Sequence, residues 1–191
     1  MIEKEIFPDK LLNKNSDKFK NSNPRIQRVL SMLLDHIIMC IIIVPLGVII
    51  FGIISQFEEY LNKPIGMILI WSPMFLYFNK DFFKAKSGAK RFLGYQIIDN
   101  KTKKPASELQ CFLRNLTLIA WPVEVLVGLL NPERRIGDFL ANTKVIPSEK
   151  EKLKSIWSDM KNTKLKTNFI GILIIGGLYF YGLSYLMPGM N

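Results

Sequence analysis

The sequence predicts an all-α polytopic membrane protein with three transmembrane helices, one short re-entrant or in-plane segment and a small cytoplasmic β element. Three observations predict it. Four apolar segments, Leu33 to Ile54, Ile65 to Phe78, Leu116 to Leu130 and Phe169 to Met187, punctuate a chain of 191 residues. Its 26 Lys and Arg side chains almost avoid the 55–64 connection, which holds only Lys63, and are absent from 188–191. Two β-branched stretches, Tyr95 to Asp99 and Thr143 to Ile146, flank the third apolar segment next to turn chemistry, as strands do.

Cytoplasmic loops concentrate Lys and Arg. Residues 1–32 carry seven, 79–115 carry nine and 131–168 carry nine. That pattern puts the N-terminus and both long loops in the cytoplasm, with the short first connection and the C-terminus outside.

The polar start ends in the loop signal Asn21, Ser22, Asn23, Pro24, with at most a short amphipathic turn around Phe7, Leu11 and Leu12. Pro24 then opens a helix running to about Ser55. Its apolar part, 22 residues from Leu33 to Ile54, measures ~33 Å as helix and covers the ~30 Å of bilayer hydrocarbon. Pro45 and Gly47 mark a kink. It follows some thirty polar residues and has no small-x-small site after it, so it reads as a retained helix rather than a cleaved signal. Pro64 suits the first position of a second span that reaches about Lys80, with Ser72 and Pro73 as another kink site.

The third segment is only 15 residues, ~22 Å of helix, and carries Pro122 and Glu124. A full crossing would carry nine basic residues outside, and pairing of the two strand candidates requires both ends of the segment on one side. A re-entrant or in-plane path satisfies both. Beyond it, Ser148 and Glu151 form a capping-box pattern. Leu153, Ile156, Trp157 and Met160 then share a helix face opposite Lys150, Lys152, Lys154 and Lys161, the pattern of a membrane-surface helix. The last segment spans once, with Tyr179, Phe180, Tyr181 and Tyr185 as an outer aromatic belt and four glycines for close helix contact.

A formal net charge of +10 could suggest nucleic acid. A hydrophobic content of 49% and a positive mean hydropathy, with the basic residues flanking apolar runs, point instead to anionic lipid headgroups as the acidic partner. Cys40 and Cys111 have no metal-ligand or redox spacing and read as unpaired packing residues. No nucleophile stands with a base, no metal cluster appears and Ser87 to Gly94 lacks phosphate-loop spacing. The expectation is a protein that is not an enzyme and needs no cofactor.

Charged groups within a membrane are costly and mark function or tight pairing. Asp35 lies two helical turns after Arg28, Glu124 sits in the short third segment, and Asp138 follows Arg134, Arg135 and Gly137. Arg28 and Asp35 are ~10.5 Å apart in rise along one helix, so a direct bond is strained and a cross-pair of Arg28 with Asp138 is an equal alternative. Glu124 reads either as a site carboxylate or as one reaching the headgroup zone. Lys90, Arg91, Arg114 and Arg135 read as contacts to lipid phosphates or loop carboxylates. His36, the only histidine, points about 100° away from Asp35 and reads as a packing residue.

Arg28 with Asp35 in the first helix, the Lys90 to Gly94 stretch, Arg114, and Arg135 with Asp138 before Thr143 to Ile146 together resemble the RDD family. These bacterial integral membrane proteins take their name from one arginine and two aspartates, which Arg28, Asp35 and Asp138 match by position. The resemblance covers about 25–147, and it departs at Ser87 to Lys90, where the family more often has glycine directly before the lysine. It divides the chain into a flexible cytoplasmic tail (1–24), an RDD-like membrane domain (25–147) and a surface helix with the final span (148–191). It implies residence in the bacterial inner membrane and transport of a small ion, proton or sodium, with Arg28, Asp35, Glu124 and Asp138 as the coupling set. One copy has too few helices to enclose an aqueous path, so this reading expects a homo-oligomer. The competing reading is a non-catalytic subunit that scaffolds a larger membrane complex, with the arginine–aspartate set as a static network.

Overall fold

A computed structural model describes the protein over residues 24–57, 64–131, 133–163 and 168–186. The turn expected around Phe7, Leu11 and Leu12 lies outside those residues. Helix α1 is Pro24–Ile54 and α2 is Pro64–Phe78, two residues short of the expected end. Proline opens each, where its missing N–H is no loss. Pro73 inside α2 cannot donate to the carbonyl of Leu69, and the Ser72 hydroxyl donates to it instead at 2.7 Å. A 3₁₀ turn, Phe83–Ala85, leads to α3, Gly88–Leu93. Ser87 caps α3 by accepting from the Lys90 N–H, and Gly94 ends it at φ +78°, where a Cβ would lie 2.8 Å from the Ser148 carbonyl oxygen.

Strand β1 (Tyr95–Asp99) pairs antiparallel with β2 (Thr143–Pro147), Ile97 opposite Val145. Between them run α4 (Glu108–Leu116), a 3₁₀ turn (Thr117–Ala120), α5 (Trp121–Leu130) and the five-residue α6 (Ile136–Leu140). Ser107 and Gln110 form a capping box at the start of α4. Helix α7 is Lys154–Asn162 and α8 is Asn168–Leu186.

Among the described residues, two stretches are long and apolar enough to cross a bilayer, Arg25–Ile54 and Glu108–Leu130. The second is not one straight rod. Its front end is fixed to the sheet by the Ala106 N–H donating to the Ile97 carbonyl at 3.1 Å, its far end by the Val145 N–H donating to the Glu133 carbonyl at 3.3 Å. Strands lie ~4.8 Å apart, so these anchors on opposite edges of a two-stranded sheet are within ~15 Å of each other. A straight 23-residue helix would separate them by ~34 Å. The break at Thr117–Ala120, where Ala120 leaves helical geometry (φ −92°, ψ 43°), lets the chain turn back.

Two apolar cores result. Phe78, Phe112, Leu118, Ile172 and Phe180 join α2, α4 and α8; Ile97, Ala106, Cys111 and Val145 close the sheet against α4. Helix α8 lies alongside α4: Gly171 faces Leu109, Gly176 faces Phe112 and the Tyr179 hydroxyl donates to the Leu116 carbonyl at 2.8 Å. Phe180 stacks on Phe78, so two of the expected belt aromatics serve the interior, while Tyr181 remains exposed. The side chain of Tyr185 lies outside the described set. By contrast α1 leaves most of its apolar surface, from Ile37 to Ile53, uncovered by the other described residues.

The surface helix starts later than its sequence pattern suggests. Ser148 and Glu151 do not form a capping box: the chain there has no regular secondary structure, with the Ser148 N–H donating to the Gly94 carbonyl and the Glu151 N–H to the Arg91 carbonyl. Glu151 turns to cations instead, and α7 begins only at Lys154.

Candidate functional site

The base of α1 projects Arg28, Ser31 and Asp35 at helical spacing onto one face, and all three are buried. Arg28 donates to Asp138 Oδ2 at 3.1 Å, so of the two pairings left open the structure forms the cross-pair. Arg114 Nε lies 2.8 Å from the other oxygen, which also accepts from the Thr143 hydroxyl at 2.8 Å. The Arg135 N–H adds a contact to Oδ2 at 3.2 Å. Burial by itself disfavours the Asp138 anion, but Arg114, Arg28 and Arg135 outweigh it and hold the carboxyl well below the usual carboxylate range.

Asp35 takes different partners. Lys90 donates to its Oδ2 at 2.6 Å, and Lys80 Nζ stands 3.9 Å from the same oxygen. Lys90 also reaches Asp81 Oδ1 at 2.9 Å and the Ser87 hydroxyl at 3.1 Å. The second Asp81 oxygen accepts from Arg114 at 3.3 Å and from the Asn115 amide at 3.0 Å. Arg114 therefore bridges Asp81 and Asp138, joining the two halves of the cluster.

Glu124 does not reach a headgroup zone. It is fully buried, accepts from the Gly137 N–H at 3.0 Å and faces Arg135 Nε at 3.6 Å. Arg135 in turn donates to the Asn115 side chain at 2.6 Å. Gly137 has no room for a side chain, because a Cβ would stand 1.9 Å from the Arg114 carbonyl oxygen. Its close approach is what seats α6, and with it Asp138, under α4.

For Lys90, Arg91, Arg114 and Arg135 the sequence leaves lipid phosphates and loop carboxylates both open, and the structure forms contacts to carboxylates. All four are at most 4% exposed and are held by carboxylates rather than by phosphates of the bilayer. Arg91 belongs to a second cluster, a clamp on α7: it pairs with Glu151 and, at 2.8 Å, with Asp159, while Lys86 holds Glu151 at 2.7 Å and Lys84 holds Asp159 at 2.7 Å. His36 packs as expected, stacked on Trp121 at 4.5 Å between centroids, with Nδ1 2.8 Å from the Tyr77 hydroxyl.

Sequence reasoning missed Lys80, Asp81, Asn115 and Thr143. A signal existed for three of them. Lys80 and Asp81 come within three residues of the end of one apolar segment, and Asn115 directly precedes another, so the expected topology puts them at the same membrane edge as Asp35. Thr143 gave none beyond its strand.

Nine charged side chains meet here out of water: Arg28, Lys80, Lys90, Arg114 and Arg135 with Asp35, Asp81, Glu124 and Asp138. Among the described residues no group of His, Cys, Asp and Glu is arranged to hold a metal. Apolar helices gathered around a sealed arginine–aspartate cluster define an integral membrane protein. The RDD family profile matches residues 24–190, and the chain belongs to that family. The match runs well past residue 147, where the resemblance was expected to stop, and takes in α7 and α8. No curated protein and no solved structure gives a significant match.

Proposed function

We propose that the protein moves a small cation, proton or sodium, across the bacterial inner membrane, with Asp35 as the coupling carboxylate and Arg28, Asp138 and Glu124 in the set that holds it. The observation that carries this reading is the position of Asp35. It sits buried on the base of α1, bound by two lysines from elements outside α1 rather than by the helix's own arginine. A carboxylate whose cationic partners come from separate segments can trade them for an ion when those segments shift.

In this reading α1, α2 and α8 cross the membrane, with the N-terminus cytoplasmic and the C-terminus outside. The α4–α5 hairpin enters and leaves on the cytoplasmic side. The exposed apolar surface of α1 faces lipid or a second copy, and assembly into an oligomer supplies the walls that one chain lacks. The protein needs no cofactor and is not an enzyme.

The alternative is a scaffold subunit, and one observation favours it. Gly177 and Gly182 of α8 have open space where a side chain would stand, a surface on which another helix could pack closely. The deciding experiment is ion flux in proteoliposomes under imposed proton and sodium gradients, comparing the protein with Asp35→Asn. Flux that disappears in a folded variant supports transport. Absence of flux from both, with a partner co-purifying at fixed stoichiometry, supports the scaffold.

A further inference from the structure

Within the central cluster one cation stands apart. Arg28, Lys90, Arg114 and Arg135 each donate at least one hydrogen bond from the charged end of the side chain. Lys80 donates none among the described residues. Its Nζ comes no closer to Asp35 than 3.9 Å, with the side chain 5% exposed, and it lies over the Tyr77 ring at 4.7 Å from the centroid.

Charge balance points to the same residue. Five cations face four carboxylates, which leaves one positive charge in excess. An unbalanced charge kept from water is costly, and a lysine removes that cost by releasing its proton, whereas an arginine does not. Lys90 is secured by Asp35, Asp81 and Ser87. Lys80 is the cation that the cluster can neutralise with the least loss.

We propose that Lys80 carries the exchangeable proton of the cluster, and that its release as a neutral amine leaves four cations facing four carboxylates. The proton leaves Nζ for water, and the ammonium becomes an amine with a free lone pair. The groups that face Lys80 are Asp35 and His36 from α1, Tyr77 from α2, Asp81 beside it, Lys90 from α3 and Arg135 from the segment before α6. Burial is the largest influence and pushes the Lys80 ammonium down to about 7, with Asp35 working against it. Any use of this proton in transport rests on the transport reading; the titration itself does not.

The test uses the full chain in detergent, reading thermal stability from pH 6 to 9 for the wild type, Lys80→Met and Lys80→Arg. Between a folded value near 7 and the ordinary 10.5 the unfolded chain holds this proton and the folded protein does not. Wild-type Tm should therefore climb by several degrees across the range, relative to a flat profile in Lys80→Met. Lys80→Met should also melt above the wild type at pH 6, because it lacks the excess charge. Lys80→Arg, which keeps that charge, should melt below the wild type at pH 9.

A parallel pH profile in wild type and Lys80→Met overturns the proposal. So does a Tm set by chloride against gluconate in place of pH, since an anion would then balance the cluster. A Lys80-dependent Tm slope without flux in proteoliposomes removes the transport reading and leaves the titrating lysine in place.

Discussion

Around Asp138 three arginines meet one carboxylate that water does not reach, whereas around Arg91 one guanidinium holds two carboxylates at the protein's edge, Glu151 being 28% exposed there. The chemistry of the two clusters is alike, and their surroundings differ. A pair sealed from water is strongly penalised when one member is removed, because the survivor stays charged without a partner. A pair at the surface exchanges its partner for water at little cost. The central cluster therefore fixes the architecture, while the α7 clamp holds an element that can be released.

The largest effect should come from Asp138→Ala, which takes the carboxylate from Arg28 and leaves Arg114 with Asp81 alone. A loss of ~3–5 kcal/mol is expected, read as failure to fold or a sharp drop in Tm. A variant with near-normal stability would show that water enters the cluster and would erase the contrast between the two regions.

Next in size is acidification of the clamp. Burial works in the opposite direction, but hydrogen bonds from Lys86 and Ser155 hold the Glu151 carboxyl below its ordinary value of 4.5, and Lys84 and Arg91 hold Asp159 below 3.8. Both groups thus add stability that is whole above about 4.5 and fades as the pH falls through their lower folded values. Amide hydrogen exchange across 154–162, corrected for its intrinsic pH dependence, should speed up in that window while amides of α4 stay protected. Glu151→Gln should give about a fivefold loss of protection over 154–162 at neutral pH, the equivalent of ~1 kcal/mol.

The smallest effect belongs to Lys84→Ala. Its side chain is 67% exposed, so water and salt screen the bond to Asp159. The expected change in stability is within ~0.5 kcal/mol. A larger loss would place the clamp in the same energetic class as the core.

Much of this was legible in the sequence where local chemistry decides. Pro24 and Pro64 mark the starts of α1 and α2, and β-branched residues mark both strands in the register that pairs Ile97 with Val145. What stayed hidden depends on distant partners. Ser148 and Glu151 satisfy the pattern of a helix cap, yet Lys86 and Arg91, some sixty residues earlier, compete for Glu151 and win. Lys90 and Arg91 suit lipid phosphates and loop carboxylates alike until the fold closes carboxylates over them. Pairing of Arg28 with Asp138 spans 110 positions, and no local pattern distinguishes it from pairing with Asp35. The C-terminal stretch also proved inseparable from the rest. Deleting 148–191 would take Ile172 and Phe180 out of the core, so co-purification tests the scaffold reading more cleanly than truncation.

The small sheet has a consequence for how the chain is made. Strand β1 is complete at Asp99 and waits for β2, which begins only at Thr143, so everything from α4 to α6 emerges as a loop with one end already anchored. In the topology proposed above, closing that loop brings Arg135 and Asp138 to their partners from the side on which they were synthesised. In the hairpin topology no guanidinium of this segment is carried through the bilayer, and assembly of the charged centre needs only lateral docking once translation has passed β2.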